Sequence, residues 1–226
     1  QPLLCAATHF RVLAWCEKGR IMRLQNPFAA LSTTGIDSQV LVVLSRVESY
    51  LTVAQIQELL PEGGSVEGVR KSANRLRDQG TVLERVTGRS AAYALNREHL
   101  LVGPAIQIAG AKQELLRRLS EQISGWETQP RTVKMFGSAA RGDMTETSDI
   151  DLLVVMPDES DREESVELVD DLSKQVSRWT GNDTRPLLYF EQEVRPAAIF
   201  DSILTDGIDV AGDPSWLRGR VRGWAS

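Results

Sequence analysis

Two short runs carry the residue types that could do chemistry together, Met135-Phe136-Gly137-Ser138 and Ser148-Asp149-Ile150-Asp151-Leu152. Ten residues separate Ser138 from Asp149. Thr132, Val133, Met135 and Phe136 read as a short buried strand that Gly137 ends with a turn, and Ser138, Ala139, Ala140 and Arg141 can open a helix. A helix start leaves backbone N–H groups free beside the Ser138 hydroxyl, which suits an anionic phosphate. Ile150 to Val155 reads as a second strand. Strand side chains alternate faces, so Asp149 and Asp151 point the same way while Ile150 and Leu152 go into the core. Adjacent carboxylates repel, and the pKa of one rises unless a cation neutralises the pair. Oxygen-only ligands beside a phosphate-cradling turn suit Mg²⁺. The chemistry implied is metal-dependent phosphoryl or nucleotidyl transfer. A glycine turn before a solvated acidic strand start would use the same residues, but strand interiors disfavour Asp and packing asks for no such pair.

Gly137-Ser138, ten residues, then Asp149-Ile150-Asp151 resembles the signature of the polymerase-beta-type nucleotidyltransferase superfamily. Ser138-Ala139-Ala140-Arg141-Gly142 is similar to its minimal members, among them antitoxins that transfer AMP onto a partner toxin. The resemblance implies transfer of NMP from an NTP, ATP first, to an acceptor that is a protein, an RNA or a small molecule. It implies that Gly137 and Ser138 hold the β- and γ-phosphates, that Arg141 adds a charged contact, and that Asp149 and Asp151 are catalytic and bind Mg²⁺. A third carboxylate commonly sits on the strand beside the Asp-any-Asp strand. Here that strand, about 185–190, reads Pro186-Leu187-Leu188-Tyr189 at its middle, and only the flanking Asp183 and Glu191 are acidic. Strand parity puts one of Leu187 and Leu188 on the Asp149/Asp151 side, and Leu188, the more central, is the expected one.

Around this strand–turn–strand, apolar residues at helical spacing mark the elements that must position it. Leu115, Leu116, Leu119 and Ile123 predict a helix that starts after Asn96, breaks at Gly103-Pro104 and runs to about Ser124. Val166, Val169, Leu172 and Val176 predict another over 162–179 with an acidic, solvated outer face. Val194 to Asp206 reads as a helix and Ile208-Asp209-Val210 as a last short strand.

The first half has a different pattern. Helices are predicted over 37–48, after Thr52 and after Ser65, the last two capped by those hydroxyls. Val53, Ile56, Leu59 and Leu60 should face inward in the second, and Val66, Val69, Ala73 and Leu76 in the third, which Gly80 ends. A hairpin follows, with Thr87-Gly88-Arg89-Ser90 as its turn. Three helices and a two-stranded wing over 37–96 resemble a winged helix-turn-helix of the small bacterial repressor type. The third helix offers Glu67, Arg70, Lys71, Asn74, Arg75 and Arg77. Arg and Asn suit bidentate contacts to base edges in the major groove, and Arg89 at the wing tip suits a phosphate or the minor groove. The DNA-binding set is therefore Arg70, Lys71, Asn74, Arg75 and Arg89.

The fold class expected is α+β: an N-terminal extension (1–36), a winged helix-turn-helix (37–96), a linker helix (97–130) and a nucleotidyltransferase α/β domain with a small mixed sheet (131–226). Charge supports the division. Residues 1–110 carry 12 Lys/Arg against 9 Asp/Glu, or +3, and residues 111–226 carry 14 against 22, or −8. The two cysteines, Cys5 and Cys16, form no disulfide framework, and no apolar run approaches a membrane span, so a cytoplasmic protein is expected. Met22 looks more like a natural start than Gln1, with 1–21 as upstream extension. His9 and His99 lie outside the second half, which excludes an imidazole base or a zinc cluster there. The expected partners are an NTP, duplex DNA, a protein acceptor and a second copy of the chain, with no membrane. Two functions follow. One is a Mg²⁺-dependent nucleotidyltransferase with a DNA-binding winged helix and an antitoxin-like role. The other is a transcriptional regulator whose nucleotidyltransferase fold senses nucleotide without catalysis.

Overall fold

The structure is a computed structural model and describes residues 24–25, 35–88 and 90–223. Cys5, His9, Cys16, Met22 and Arg89 lie outside the described residues.

The first unit runs Gly35–Ser45 (α1), Leu51–Thr52 (β1), Val53–Glu58 (α2), Val66–Asp78 (α3), Val82–Thr87 (β2) and Ser90–Leu95 (β3). Its strands make an antiparallel sheet in the order β1-β3-β2. Both expected caps are present. Thr52 and Gln55 bond reciprocally at the start of α2, and the Ser65 hydroxyl accepts the Gly68 N–H at the start of α3. Val40, Leu44, Ile56, Val69, Ala73 and Leu76 pack against Tyr93 and Leu95 of the sheet. Leu59 and Val66 were expected inward and are instead exposed, 53% and 44%. Each sits at a helix end, where the apolar stripe has run past the edge of the core.

The single interrupted helix expected after Asn96 is two helices, Val102–Ala109 (α4) and Ala111–Ser124 (α5). Asn96 caps only a turn, accepting the Glu98 N–H at 3.1 Å. Pro104 falls in the first turn of α4, where a missing N–H costs no helical bond, so the break comes at Gly110 instead. α4 packs on α1, whereas Leu115, Leu119 and Ile123 of α5 join the core of the second unit.

That unit comprises Thr132–Phe136 (β4), Gly137–Arg141 (α6), Ile150–Met156 (β5), Arg162–Thr180 (α7), Thr184–Phe190 (β6), Ala198–Asp206 (α8), Ile208–Gly212 (β7) and Trp216–Arg222 (α9). The sheet order is β6-β5-β4-β7; β5 and β6 are parallel and the other pairs antiparallel. Helices cover both faces. Met135, Leu152, Val154 and Met156 pack with α5 and α7, and Phe136, Leu153 and Val155 pack with α8 and α9. Val166, expected inward, is 56% exposed in the first turn of α7. The register Leu153↔Leu187 and Val154↔Leu188 fixes the parity of β6. Leu187 shares the face of Asp151, and Leu188 packs on the opposite face with the α5/α7 core. The expectation for Leu188 is therefore corrected. No helix among the described residues is long and apolar enough to cross a membrane.

Candidate active site

β4 ends at Phe136, which lies opposite Asp151 in the antiparallel register. The chain then turns at Gly137 with φ +68°, and a Cβ there would strike the Asp151 carboxylate. Glycine is thus required twice, by the left-handed backbone and by the carboxylate lying over it. The turn of helix that follows ends at Gly142. Lys112 of α5 donates to the Ala140 carbonyl at 2.9 Å, which places a cation at the carbonyl end of α6. Burial lowers the Lys112 pKa, with the Arg46 charge second.

Asp151 is the second residue of β5 and Asp149 immediately precedes the strand, close enough for its charge to act on Asp151. Burial first, and the Asp149 charge second, hold the Asp151 carboxyl above the usual carboxylate range, while Arg185 and Arg141 pull it down. That places the Arg141 charge within electrostatic reach of Asp151; its ion pair is to Asp143, Nε to Oδ2 at 3.1 Å.

Four residues were missed by sequence reasoning. Arg185 lies opposite Asp151 across the parallel β5/β6 register, and its Nε forms an ion pair with Asp149 Oδ2 at 2.9 Å. The signal was present, because pairing β5 with β6 from their first residues brings positions 151 and 185 level. Asn182 is 1% exposed and donates Nδ2 to the Ser148 carbonyl at 3.1 Å, fixing the residue before Asp149. Gln25 donates Nε2 to the Met144 carbonyl at 2.7 Å, and Leu24 is fully buried in the same core, so these two residues brace the loop between the two runs. Nothing in the sequence pointed to that contact.

The two acidic residues that flank β6 lie at opposite ends of it. Asp183 is at the right end of the sheet, since its carbonyl accepts the Ile150 N–H at 2.8 Å. Glu191 pairs with Arg131 at 2.9 Å at the far end of β6. It lies six positions beyond Arg185, about 20 Å along an extended strand, which rules it out. Among the described residues no group of three His, Cys, Asp or Glu side chains converges as a metal site. The carboxylate pair fits one divalent cation. The facing positions on β6 are Arg185 and Leu187, so that strand itself supplies no third carboxylate.

On α3 the basic side chains are paired within their own unit. Arg70 bonds Glu67 at 2.8 Å, with Lys71 at 3.9 Å from the same carboxylate. Arg75 Nε bonds Asp37 Oδ2 at 2.8 Å, and that hydrogen bond raises its pKa. Asn74, expected outward, is half-buried and accepts from Tyr93 Oη at 3.0 Å and from Arg77 at 3.3 Å.

The family model described as Nucleotidyltransferase domain matches residues 113–200. No curated protein matches the chain. Among the solved structures similar to it are the following three. A toxin–antitoxin structure with AMP-PNP shares 18% identity over 49% of this chain and 82% of that one, at a TM-score of 0.35. A candidate nucleotidyltransferase from Sulfolobus solfataricus shares 24% over 44% and 81%, at 0.27. The archaeal chromatin protein TrmBL2, whose structure shows a mode of DNA binding, shares 18% over 76% and 71%, at 0.28.

Proposed function

We propose that this protein is a Mg²⁺-dependent nucleotidyltransferase that moves NMP from an NTP, ATP first, to a protein, RNA or small-molecule acceptor. The observation that carries this reading is the approach of the Asp151 carboxylate to Gly137, with the Asp149 charge acting on that carboxylate. It joins the two halves of the motif into one site. Ser138 and the first N–H groups of α6 hold the β- and γ-phosphates, and Gly137 leaves them room beside the backbone. Arg141 adds a charge-assisted contact. Mg²⁺ held by Asp149 and Asp151 would neutralise triphosphate charge as the acceptor oxygen bonds the α-phosphorus and pyrophosphate leaves.

The first unit, in this reading, is a winged helix that binds duplex DNA through Arg70, Lys71 and Arg75. Exposed ion pairs such as theirs contribute only about 0–1 kcal/mol each, so phosphate can replace Glu67 and Asp37 as partner. Asn74 is engaged with Tyr93, which leaves base-edge contact to the arginines.

A second reading has an observation of its own. Arg185 on Asp149, and Leu187 where a third carboxylate would face the pair, favour a DNA-binding regulator that senses nucleotide without turnover. Incubation with Mg²⁺, labelled NTPs and cell extract as acceptor separates the two. Transferred label that disappears in the Asp149→Asn/Asp151→Asn double variant supports the enzyme. Calorimetry with ATP and Mg²⁺ checks the site itself, and equal affinity in wild type and double variant rejects it.

A further inference from the structure

Arg185 has no part in the transfer chemistry above, yet it is the cation closest to the carboxylate pair by contact. Its strand position is level with Asp151, and its guanidinium pairs with Asp149 at 2.9 Å. The contact is an ion pair through Nε, and the Arg185 side chain is 72% exposed, against 20% for Asp149. Leu187, the next residue on that face, packs against the α8/α9 core, so β6 supplies no other charge inward of Arg185. A guanidinium fork matches a carboxylate and a phosphate with the same pair of N–H groups. An exposed ion pair of one carboxylate holds weakly against a triphosphate carrying several charges. While Arg185 stays on Asp149, that oxygen is screened from a divalent ion by a like charge.

We propose that Arg185 is the resident counter-ion of Asp149 in the nucleotide-free protein and transfers to the triphosphate when nucleotide binds, so that the carboxylate pair accepts a divalent cation only together with nucleotide. This rests on Asp149 and Asp151 forming the nucleotide site. The consequence is ordered loading: nucleotide binds first with Arg185 as its contact, and the metal site opens as Arg185 leaves.

The test uses the full chain with two probes, Mn²⁺ alone and a non-hydrolysable ATP analogue alone with chelator present. Mn²⁺ binding is read by electron paramagnetic resonance and analogue binding by calorimetry. Arg185→Leu is expected to bind Mn²⁺ alone at least tenfold more tightly than wild type and the analogue at least tenfold more weakly. Arg185→Lys, which keeps charge without the fork, should fall between them on both. If Mn²⁺ binds wild type and Arg185→Leu alike, or binds neither, the counter-ion role is overturned. A triple variant, Arg185→Leu with Asp149→Asn and Asp151→Asn, separates the two levels. Loss of the gained Mn²⁺ affinity supports the carboxylate site; its survival rejects that site, and the counter-ion role with it.

Discussion

The two units handle charge in opposite ways. On α3 each described Arg or Lys named for DNA has an acidic partner in its own unit, Glu67 or Asp37, at the protein surface. At the start of β5, two carboxylates are set side by side and Asp151 is partly taken out of water. The first arrangement costs nothing and would be found on many helices. The second opposes stability, because desolvation and like-charge repulsion both disfavour ionised Asp151. Charge that a fold satisfies locally says little about function; charge that it keeps against its own stability calls for a ligand.

The largest way to test that contrast is Gly137→Ala. The left-handed backbone alone costs about 1–3 kcal/mol in a residue with a Cβ, and the carboxylate of Asp151 must also move. Urea unfolding should show a loss of that order, with nucleotide binding weakened in the same variant. A loss under about 0.5 kcal/mol would mean that the carboxylate has room, and that the two halves of the motif are less tightly joined than their geometry implies.

Asp151→Asn gives an effect of intermediate size and the opposite sign. The folded pKa is raised above the ordinary 3.8, so stability is fullest below that value and falls as pH rises through the folded pKa. At neutral pH the penalty is complete. The variant should melt above wild type at pH 7, with the gain shrinking as pH approaches 4. A variant that melts lower at pH 7 would show that Arg185 and Arg141 already outweigh the burial.

The smallest expected effect lies in the first unit. Asp37 accepts from Ser72 Oγ at 2.5 Å and from Arg75. Asp37→Asn should release Arg75 and strengthen binding of a promoter duplex by a few-fold at low salt, read by fluorescence anisotropy, with a steeper salt dependence. If Asp37→Asn and Arg75→Ala both leave affinity unchanged, Arg75 is surface charge and α3 has another role.

What was legible in the sequence follows from the range of each signal. The caps at Thr52 and Ser65 and the strand before Gly137 depend on neighbours a few residues away, and all are present. The β1 strand has two residues, too few to show a period. The face of Leu188 was misread because helices cover both sides of the sheet, so Leu187 and Leu188 are equally apolar and no alternation marks them. Arg185 and Asn182 act through partners 36 and 34 positions earlier, Asp149 and Ser148, and become visible only when β6 is laid beside β5. The start of α4 was hidden by Pro104, which as easily opens a helix as interrupts one.

The strand order also sets a sequence of assembly. β2 meets β3 through a tight hairpin, so the first unit can close its sheet as soon as residue 95 is made. β4 is different. One neighbour, β5, comes shortly after it, but the other, β7, pairs Lys134 with Asp209, 75 positions on. Loop closure over that span is slow beside a hairpin. During synthesis Gly137, Asp149 and Asp151 can therefore come together on β4 and β5 while the other edge of β4 is still bare. A chain halted before Ile208 would present that edge, with its unpaired N–H and C=O groups, to any strand nearby.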